Sequence, residues 1–222
     1  MADQADPDLP GVITAITPQK KNRNRYSIFV DDAFLLGVAD STLLDNDLHK
    51  GVTITPRLFK KLQRDEGRQK VKSYLLKLLG RRDHARRELF NKASRKDYPS
   101  DTINGVLDEL EERGFINAAD FAEKFARDKN HLNSWGPAKI KAHLLKKGIN
   151  KGIAEQTISR VFEEIDLENK LSLLVEKKRR KFRREENALK RKKKVFDHLH
   201  RKGYYASDIY KYLDSLMEML EE

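Results

Sequence analysis

Lysine and arginine are concentrated near the C-terminal end of this 222-residue chain. The stretch 177–194, called the basic run below, contains 12 of them against two acidic residues, Glu185 and Glu186. Such like charges repel one another unless a polyanion or counterions screen them. Because these side chains contact phosphate groups with little sequence preference, the run predicts contact with a polyanion such as nucleic acid. The residues are Lys177, Lys178, Arg179, Arg180, Lys181, Arg183, Arg184, Lys190, Arg191, Lys192, Lys193 and Lys194.

Two other interpretations of the basic run remain open at this point. It could be a solvated helix face, or a helix lying on a membrane surface. Val175, Phe182, Leu189 and Phe196 recur every seventh residue, which gives a continuous helix a narrow apolar stripe. A membrane-surface helix needs a broader apolar face than one residue per heptad. A break of the helix near 183–187 is the alternative to one continuous helix.

Further positive charge is expected on the second helix of two preceding helical units. If stacked units point these helices the same way, the charges form one basic track. For Lys146 and Lys147, complementing the negative end of a helix dipole is an equally simple explanation. Phe182, Tyr204 and Tyr205 could stack on nucleic-acid bases, although their spacing favours core or cap contacts. The residues of the predicted track are Arg81, Arg82, Arg86, Arg87, Lys139, Lys141, Lys146 and Lys147.

The residue inventory argues against catalysis and against bound metal or cofactor. The six histidines are dispersed, and His198 and His200 are two positions apart, so they point to different sides of a helix. Neither zinc-ligand spacing nor a Gly-rich loop ending in Gly-Lys-Ser/Thr occurs. Glu109, Glu111 and Glu112 have no partner histidine or second acidic cluster, which favours a surface role. Trp135 next to Gly136 is expected to pack between helices rather than to face a partner. We therefore predict a non-enzymatic protein.

The composition favours several small helical units over one large globule. Charged residues make up 36% of the chain, hydrophobic residues 38%, and the net charge is +11. Residues 169–222 hold 16 basic against 9 acidic residues, so most of the excess lies there. The absence of cysteine, of an apolar segment at the N-terminus and of any run of about 18 apolar residues predicts a cytoplasmic protein outside the membrane.

The N-terminal quarter has the pattern of a small β-rich module. After a disordered acidic tail at 1–10, strands are predicted at Gly11–Thr17, Arg25–Val30 and Ala33–Val38, with a basic loop at 18–24 and a two-residue turn at Asp31 and Asp32. We expect Leu43, Leu44 and Leu48 to cover the apolar face, and Lys50–Ile54 to add a short strand. The module ends at 66.

From Thr55 and Pro56, an N-cap followed by Pro at the first helical position, the chain is predicted to be helical to its end. The first helical unit begins near Arg68. Gly80 stops its first helix, Asp83 caps the second and Ser100 caps the third. Asn117 caps the first helix of the next unit.

The helical part repeats with a shift of 55 residues. Leu89 aligns with Leu144, Ile103 with Ile158, Val106 with Val161 and Leu110 with Ile165. The clearest helix start and stop signals are those of Gly136–Ile149, with Pro137 at the first helical position and Gly148 at the C-terminal cap.

A third copy follows, with helices at Leu171–Lys181, Leu189–Lys202 and Ala206–Leu220. The prediction is a mainly α fold, a tandem array of three three-helix units at 67–116, 117–168 and 169–222, preceded by the β-rich module.

Several of these segments together resemble the RecX family of bacterial recombination regulators. The matching pieces are Tyr74–Arg82 with Glu88-Leu89, Val106–Leu110, Gly114–Asn117, Phe121-Ala122, Gly136–Ile149 and Lys202–Tyr204. No single piece is specific, but their order and spacing over about 68–215 are. One departure is Asn117–Asp120, since members commonly have an acidic residue directly after the cap.

The resemblance implies a protein that binds the RecA recombinase filament, lies in its helical groove and inhibits strand exchange, ATP hydrolysis and co-protease activity. It places such a protein in DNA repair and control of the SOS response, as a monomer that contacts single-stranded DNA, with double-stranded DNA as an open alternative. The alternative from the residues alone is a stand-alone helical nucleic-acid-binding module without a recombinase partner.

Overall fold

The structure is a computed structural model that describes residues 9–20 and 22–221. It begins with an antiparallel sheet of four strands in the order β3-β2-β1-β4. The strands are β1 (Gly11–Gln19), β2 (Asn22–Val30), β3 (Ala33–Ala39) and β4 (Thr53–Ile54). The predicted acidic tail lies largely outside the described residues, and Leu9 packs against the core of the sheet.

The sheet confirms the predicted hairpin and corrects the predicted loop. Asp31 and Asp32 both have positive φ, 46° and 65°, and Val30 pairs with Ala33, which is the geometry of a two-residue type I′ turn. The strands before it are longer than predicted, since Pro18 pairs with Tyr26 inside the ladder. The predicted basic loop at 18–24 is wrong, because most of its residues belong to the two strands.

Two helices cover the apolar face of the sheet. Helix α1 (Asp40–Asp45) directs Leu43 into the core, and Leu48 follows it there. Leu44 was expected in this cover, but it is 81% exposed. Helix α2 (Pro56–Leu79) adds Leu62 to the same core. The Thr55 hydroxyl accepts a hydrogen bond from the Leu58 amide, which confirms the predicted cap.

Helix α2 is 24 residues long and joins the β-rich module to the helical part without interruption. It begins at Pro56 and not near Arg68, and the module boundary predicted after residue 66 falls inside it. That boundary was placed at the predicted start of the first helical unit. The helix continues through Gly67 at this boundary, because a single glycine inside a helix costs only about 1 kcal/mol and no proline follows it there.

Glu66 on α2 is a buried carboxylate that gathers three donors from the sheet and α1. Its Oε1 accepts from the Ala39 amide at 2.6 Å and the Thr42 hydroxyl at 2.9 Å. Its Oε2 accepts from the Arg25 guanidinium at 2.8 Å. A buried charge is tolerated when it is paired and fully hydrogen-bonded. This residue therefore fixes α2 to the module.

The remaining helices follow the order of the predicted units, with one short additional helix in the third. The first unit continues from α2 with α3 (Arg86–Ser94) and α4 (Ser100–Glu112); Ser100 is the first residue of α4, and the Ile103 amide donates to the Pro99 carbonyl. The second unit has α5 (Ala118–Asn133), α6 (Pro137–Lys146) and α7 (Lys151–Glu163). The third has α8 (Leu167–Glu176), the short α9 (Arg179–Arg183), α10 (Ala188–Lys202) and α11 (Ala206–Glu221).

Contacts divide the described chain into two compact parts, up to residue 82 with 90–110, and 83–89 with 111–221. In the first part, Arg68 and Lys72 of α2 hold Glu109 of α4 at 2.9 and 2.6 Å. Glu109 is thus engaged in a surface ion-pair network. In the second part, the second and third units each have a core of their own. The predicted limits of the three units stay predictions.

Helix α6 ends as its sequence predicts. Gly148 has φ 85°, the Ile149 amide donates to the Leu144 carbonyl at 3.1 Å, and the Gly148 amide donates to the Leu145 carbonyl at 2.9 Å. These two bonds define a Schellman motif, and Ile149 is buried behind it. Asn117 caps the N-terminus of α5 as predicted, and Asn150 caps that of α7.

The second helices of successive units meet end to end within the second compact part. The amides of Gly136 and Ala138, at the start of α6, donate to the carbonyls of Lys202 and Gly203, at the end of α10, at 2.8 and 2.9 Å. The orphan donors of one helix are thereby satisfied by the orphan acceptors of another. Gly148 at the end of α6 likewise lies against Arg87 at the start of α3.

The third unit differs from its prediction in the first helix. The predicted helix Leu171–Lys181 is wrong: α8 runs from Leu167 to Glu176, and a separate short helix, α9, follows. The chain is not helical between Arg184 and Asn187, so the break considered for the basic run occurs. Leu189 falls just after this break and is 80% exposed, so the seven-residue apolar stripe is interrupted there.

Replacing Glu66 with alanine is expected to lower the free energy of unfolding by about 3 kcal/mol, because it leaves the guanidinium of Arg25 and two other donors without their acceptor. Urea unfolding monitored by circular dichroism measures the loss. Glu112→Ala, at an exposed position of α4, is the control and should change stability by less than about 0.5 kcal/mol. Equal stability of the two variants would contradict the role of Glu66.

The joint between α10 and α6 is tested by Gly203→Ala. A Cβ at this position would lie 2.7 Å from the amide nitrogen of Lys139, and the backbone has φ 94°. Gly51 has nearly the same φ, 95°, but open space around it, so Gly51→Ala measures the backbone strain alone. We expect about 1 kcal/mol of destabilisation for Gly51→Ala and at least about 3 kcal/mol for Gly203→Ala. Similar losses of stability in the two variants would show that the close approach of the two backbones adds no destabilisation beyond the backbone strain.

Candidate nucleic-acid interface

Most of the basic run is exposed and makes no ion pair with any residue that the structure describes. These side chains lie on α9, on its flanking turns and on the outer side of α10. Each of them is exposed to solvent. They are Lys177, Lys178, Arg180, Lys181, Arg183, Arg184, Lys190 and Lys193. Their charges are therefore available to an external polyanion.

The other members of the run are engaged within the third unit. Arg191 donates to the carbonyls of Glu185 and Glu186 at 3.0 and 3.3 Å, and so closes the break between α9 and α10. Lys192 pairs with Asp214 at 2.6 Å, and Lys194 with Glu185 at 2.5 Å. The Lys194 partner lowers the pKa of the Glu185 carboxyl. Arg179 lies 3.4 Å from Glu176.

The predicted basic track is partly neutralised on α6. Lys141 pairs with Glu155 at 2.7 Å, which raises the pKa of the lysine and lowers that of the carboxyl. Lys147 lies 3.5 Å from Glu88 and over the rings of Phe121 and Phe125. Its contact with the two rings and its position at the C-terminal end of α6 give Lys147 a structural role.

Lys139 and Lys146 keep their charge unneutralised by any carboxylate among the described residues. Lys139 lies 4.8 Å above the ring of Trp135, a cation–π contact that leaves the charge in place. Burial lowers the pKa of His143, and the positive charges of Lys139, Lys146, Lys147 and Lys129 lower it further.

The arginines of the first unit occupy two different places. Arg81 and Arg82 were expected on a second helix, but they lie in the turn between α2 and α3 and are exposed. Arg86 and Arg87 are on α3, and Arg86 pairs with Glu111 at 2.6 Å. Arg87 is exposed, and its aliphatic stem packs against Gly148.

The start of α6 and the basic run form one cationic surface in the second compact part. Burial lowers the pKa of Lys202, and Lys139, Lys178 and Lys177 lower it further, which places cations from both units around one side chain. The cationic surface is defined here as the unpaired residues of the basic run together with Lys139 and Lys202.

A cleft between α9 and α10 opens onto this surface. It has a volume of about 230 Å³ and is lined by Lys178, Lys181, Lys194 and Arg201, with Asp197 as the single acid of the lining. At its inner wall, His198 packs against Phe182, with ring centroids 5.8 Å apart. His198 is 6% exposed, and its Nε2 has no hydrogen-bond partner among the described residues.

Comparison with known proteins identifies the family. The model of the regulatory protein RecX N-terminal domain matches residues 11–55, and those of the first and second three-helix domains of RecX match 72–110 and 119–158. The regulatory protein RecX of Clostridioides difficile (strain 630) is 30% identical over 211 residues, which cover 95% of this chain and 98% of that protein. The chain belongs to the RecX family.

Other RecX proteins are similar over most of their length. That of Clostridium botulinum (strain Eklund 17B / Type B) is 27% identical over 193 residues, 86% of this chain and 90% of that protein. A crystal structure of regulatory protein RecX has a TM-score of 0.81 at 24% identity, covering 92% of this chain and 99% of the other. The structure of RecX from Lactobacillus salivarius has a TM-score of 0.61 at 24% identity, covering 71% and 98%. Both show the same fold.

In this RecX-family chain, two of the aromatic residues considered for base stacking belong to the core. Phe182 is 3% exposed and Tyr204 1% exposed, so neither can meet a base. Tyr205 is 41% exposed. Trp135 packs against the core of the second unit, as expected, and its ring also contacts His143 at 4.5 Å.

Sequence reasoning missed the cleft around His198. The signal in the sequence is the position of His198 between Val195 and Leu199, both fully buried, on a helix whose other positions are strongly basic. Arg201, one turn later, was not among the predicted site residues, although it lines the cleft. Only the folding of α9 back onto α10 brings these groups together.

The described residues were also considered as ligands of a metal ion and as membrane-spanning helices. Within 9–20 and 22–221, no group of three or more His, Cys, Asp or Glu side chains is arranged to hold a metal ion. None of the helices in that part of the chain is both long enough and apolar enough to cross a membrane.

The burial of His198 predicts a pH dependence of stability. Burial lowers its pKa to about 4, assisted by Lys178, Lys202, Arg201 and Lys181. The unfolded chain binds a proton at His198 below about pH 6.5, but the folded chain does so only below about pH 4. The stability that follows from keeping this imidazole neutral is therefore fully present above pH 6.5. It is lost as the pH falls towards 4, which lowers the free energy of unfolding by up to about 3 kcal/mol.

Urea unfolding of the wild type and of His198→Phe between pH 4 and 7, in buffer without phosphate, measures this contribution. The wild type should lose more stability than the variant as the pH falls. His200→Gln, at an exposed position on the same helix, should follow the wild type. Parallel curves for the wild type and His198→Phe would contradict the prediction.

Proposed function

We propose that this protein regulates the RecA recombinase by binding along the groove of the RecA filament, where it contacts both protein and single-stranded DNA. Bound there, it inhibits strand exchange, ATP hydrolysis and co-protease activity, and so acts in DNA repair and SOS control in the cytoplasm as a monomer. The proposal is supported by membership of the RecX family. The likeness in fold adds to this support.

The observation that carries the proposal is the uneven neutralisation of charge. Cations of the second unit are mostly matched by acids, as in Lys124 with Asp83, Arg127 with Glu164 and Lys141 with Glu155. On the cationic surface the matching acids are missing among the described residues. A folded protein gains nothing in stability from such uncompensated repulsion, so an external polyanion is the natural counterpart.

A filament of protein wrapped on a single DNA strand offers such a counterpart in an extended form. Phosphate contacts supply affinity without sequence preference, which suits a regulator that must act on any DNA. Contacts of the other units with filament protein then add through effective concentration, since all are carried by one molecule. Affinity for the filament should accordingly exceed affinity for bare DNA.

The partner is tested by comparing two binding equilibria at about 150 mM salt. A fluorescently labelled oligo(dT) is used bare, and after assembly into a RecA filament with a non-hydrolysable ATP analogue. We expect binding to the filament to be at least about tenfold tighter, because it adds protein contacts to the phosphate contacts. Equal affinities would overturn the RecA proposal and leave a stand-alone nucleic-acid-binding module.

The role of the cationic surface is tested by neutralising four unpaired residues together, Arg180, Arg183, Lys190 and Lys193, each to Gln. Binding to filament and DNA should weaken at least about tenfold, with a shallower salt dependence. The matched control neutralises Arg57, Lys60, Lys61 and Lys70 on α2, which removes the same net charge from another surface. Equal effects of the two variants would show that the net charge acts, and not this surface.

A further inference from the structure

We infer that the cleft between α9 and α10 is a binding site for one phosphate group of a nucleic-acid strand, with His198 as its inner hydrogen-bonding group. The inference rests on the proposed function in one respect, namely that the cationic surface faces nucleic acid. It goes further in assigning one built pocket within that surface.

The first argument is the buried imidazole. A buried polar group without a hydrogen bond costs about 1–3 kcal/mol, and a phenylalanine at the same place would avoid this cost. Nε2 of His198 has no partner among the described residues, while the ring itself is packed against Phe182. The neutral imidazole offers one N–H donor. Because Nε2 is closed off from solvent, a phosphate oxygen reaches it only when the side chains that cover it move aside, and it then satisfies this donor.

The second argument is the charge around the cleft. Four cations line it, Lys178 and Lys181 from the α9 side and Lys194 and Arg201 from α10. The acid in the lining is Asp197, and Glu185 outside it engages Lys194. A positive excess remains after both acids are counted. An anion seated among these groups would relieve their mutual repulsion and accept charge-assisted hydrogen bonds.

The third argument is size. Sites for drug-sized ligands have volumes of about 300–1,000 Å³. A cleft of about 230 Å³ with cationic walls suits one oxyanion better than a base or a nucleoside. Unpaired cations continue on both sides of it, Arg180 and Arg183 on α9 and Lys190 and Lys193 on α10. A strand crossing this surface would place one phosphate in the cleft and its neighbours on the flanks.

The test follows the His198 ring by long-range ¹H–¹⁵N NMR in the full-length protein. The charged groups facing the ring are Lys178 and Lys181 from the α9 side, and Lys194, Asp197, Arg201 and Lys202 from α10. Titration with inorganic phosphate should shift the ring signals saturably. At saturation the pKa of His198 should rise by at least about one unit, because an anion offsets these cations.

Matched variants separate the cleft from a general effect of charge. Lys178→Gln with Lys181→Gln should weaken phosphate binding about tenfold, whereas Lys60→Gln with Lys61→Gln on α2 removes the same charge outside the cationic surface and should leave phosphate binding unchanged. His198→Phe should keep or raise stability above pH 6.5 and lose the tight phosphate site. A large loss of stability in His198→Phe would indicate a structural histidine and overturn the inference.

Two oligonucleotides distinguish the source of the phosphate. Oligo(dT) should shift the His198 signals, and the same oligomer with uncharged methylphosphonate linkages should not. Binding of oligo(dT) without any shift of the His198 signals would overturn the assignment of the cleft as a phosphate site and leave the proposed function intact. A response to inorganic phosphate without binding of oligo(dT) or filament would overturn the proposed function and assign the cleft to free phosphate.

Discussion

The second and third units are positioned by the backbone joint between the end of α10 and the start of α6. Here the amides of Gly136 and Ala138 take the carbonyls of Lys202 and Gly203 as acceptors. The approach is so close that a Cβ on Gly136 would lie 2.5 Å from the Tyr204 amide nitrogen. Only two glycines facing each other allow it. The joint brings Lys139 beside Lys202 and so makes one cationic surface from two units.

The partition of charge follows from this arrangement. Positive residues near the middle of the array face acids on neighbouring helices and stabilise the fold. Most of those on α9 and around the break in the basic run face solvent, because the nearby acids are few and two of them, Glu176 and Glu185, already engage Arg179 and Lys194. Within one stretch of similar side chains, Arg191 maintains the local structure while Lys193 is left for an external ligand.

The sequence predicted those features that are encoded locally. The Asp31-Asp32 turn, the cap at Asn117 and the end of α6 at Gly148 each depend on a few adjacent residues, and the structure has all of them. The repeat and the family resemblance extended these local signals to the whole fold. The start of the helical part at Pro56 was placed correctly from its cap, but the first helical unit was predicted to begin near Arg68, where the backbone of α2 has no boundary.

What could not be predicted depends on residues far apart in the chain. Lys147 meets Glu88 across 59 positions, so its neutralisation has no signature in either local sequence. The break between α9 and α10 was one of two options, because a seven-residue apolar repeat fits a continuous helix equally well. The cleft at His198 exists only once α9 has folded back. Charge density alone therefore located the interface region but could not say which cations are available.

Helix α2 has a consequence for how this architecture can vary. Its first half covers the sheet through Leu58, Phe59 and Leu62, and its second half is the opening helix of the array. The sheet therefore cannot be removed without exposing apolar residues of α2. A shortened relative that lacked the strands would need polar residues in place of the apolar ones on this face of α2. It would also need another partner for a carboxylate at Glu66. Gain or loss of the module demands coordinated change along a helix, rather than a simple fusion at a linker.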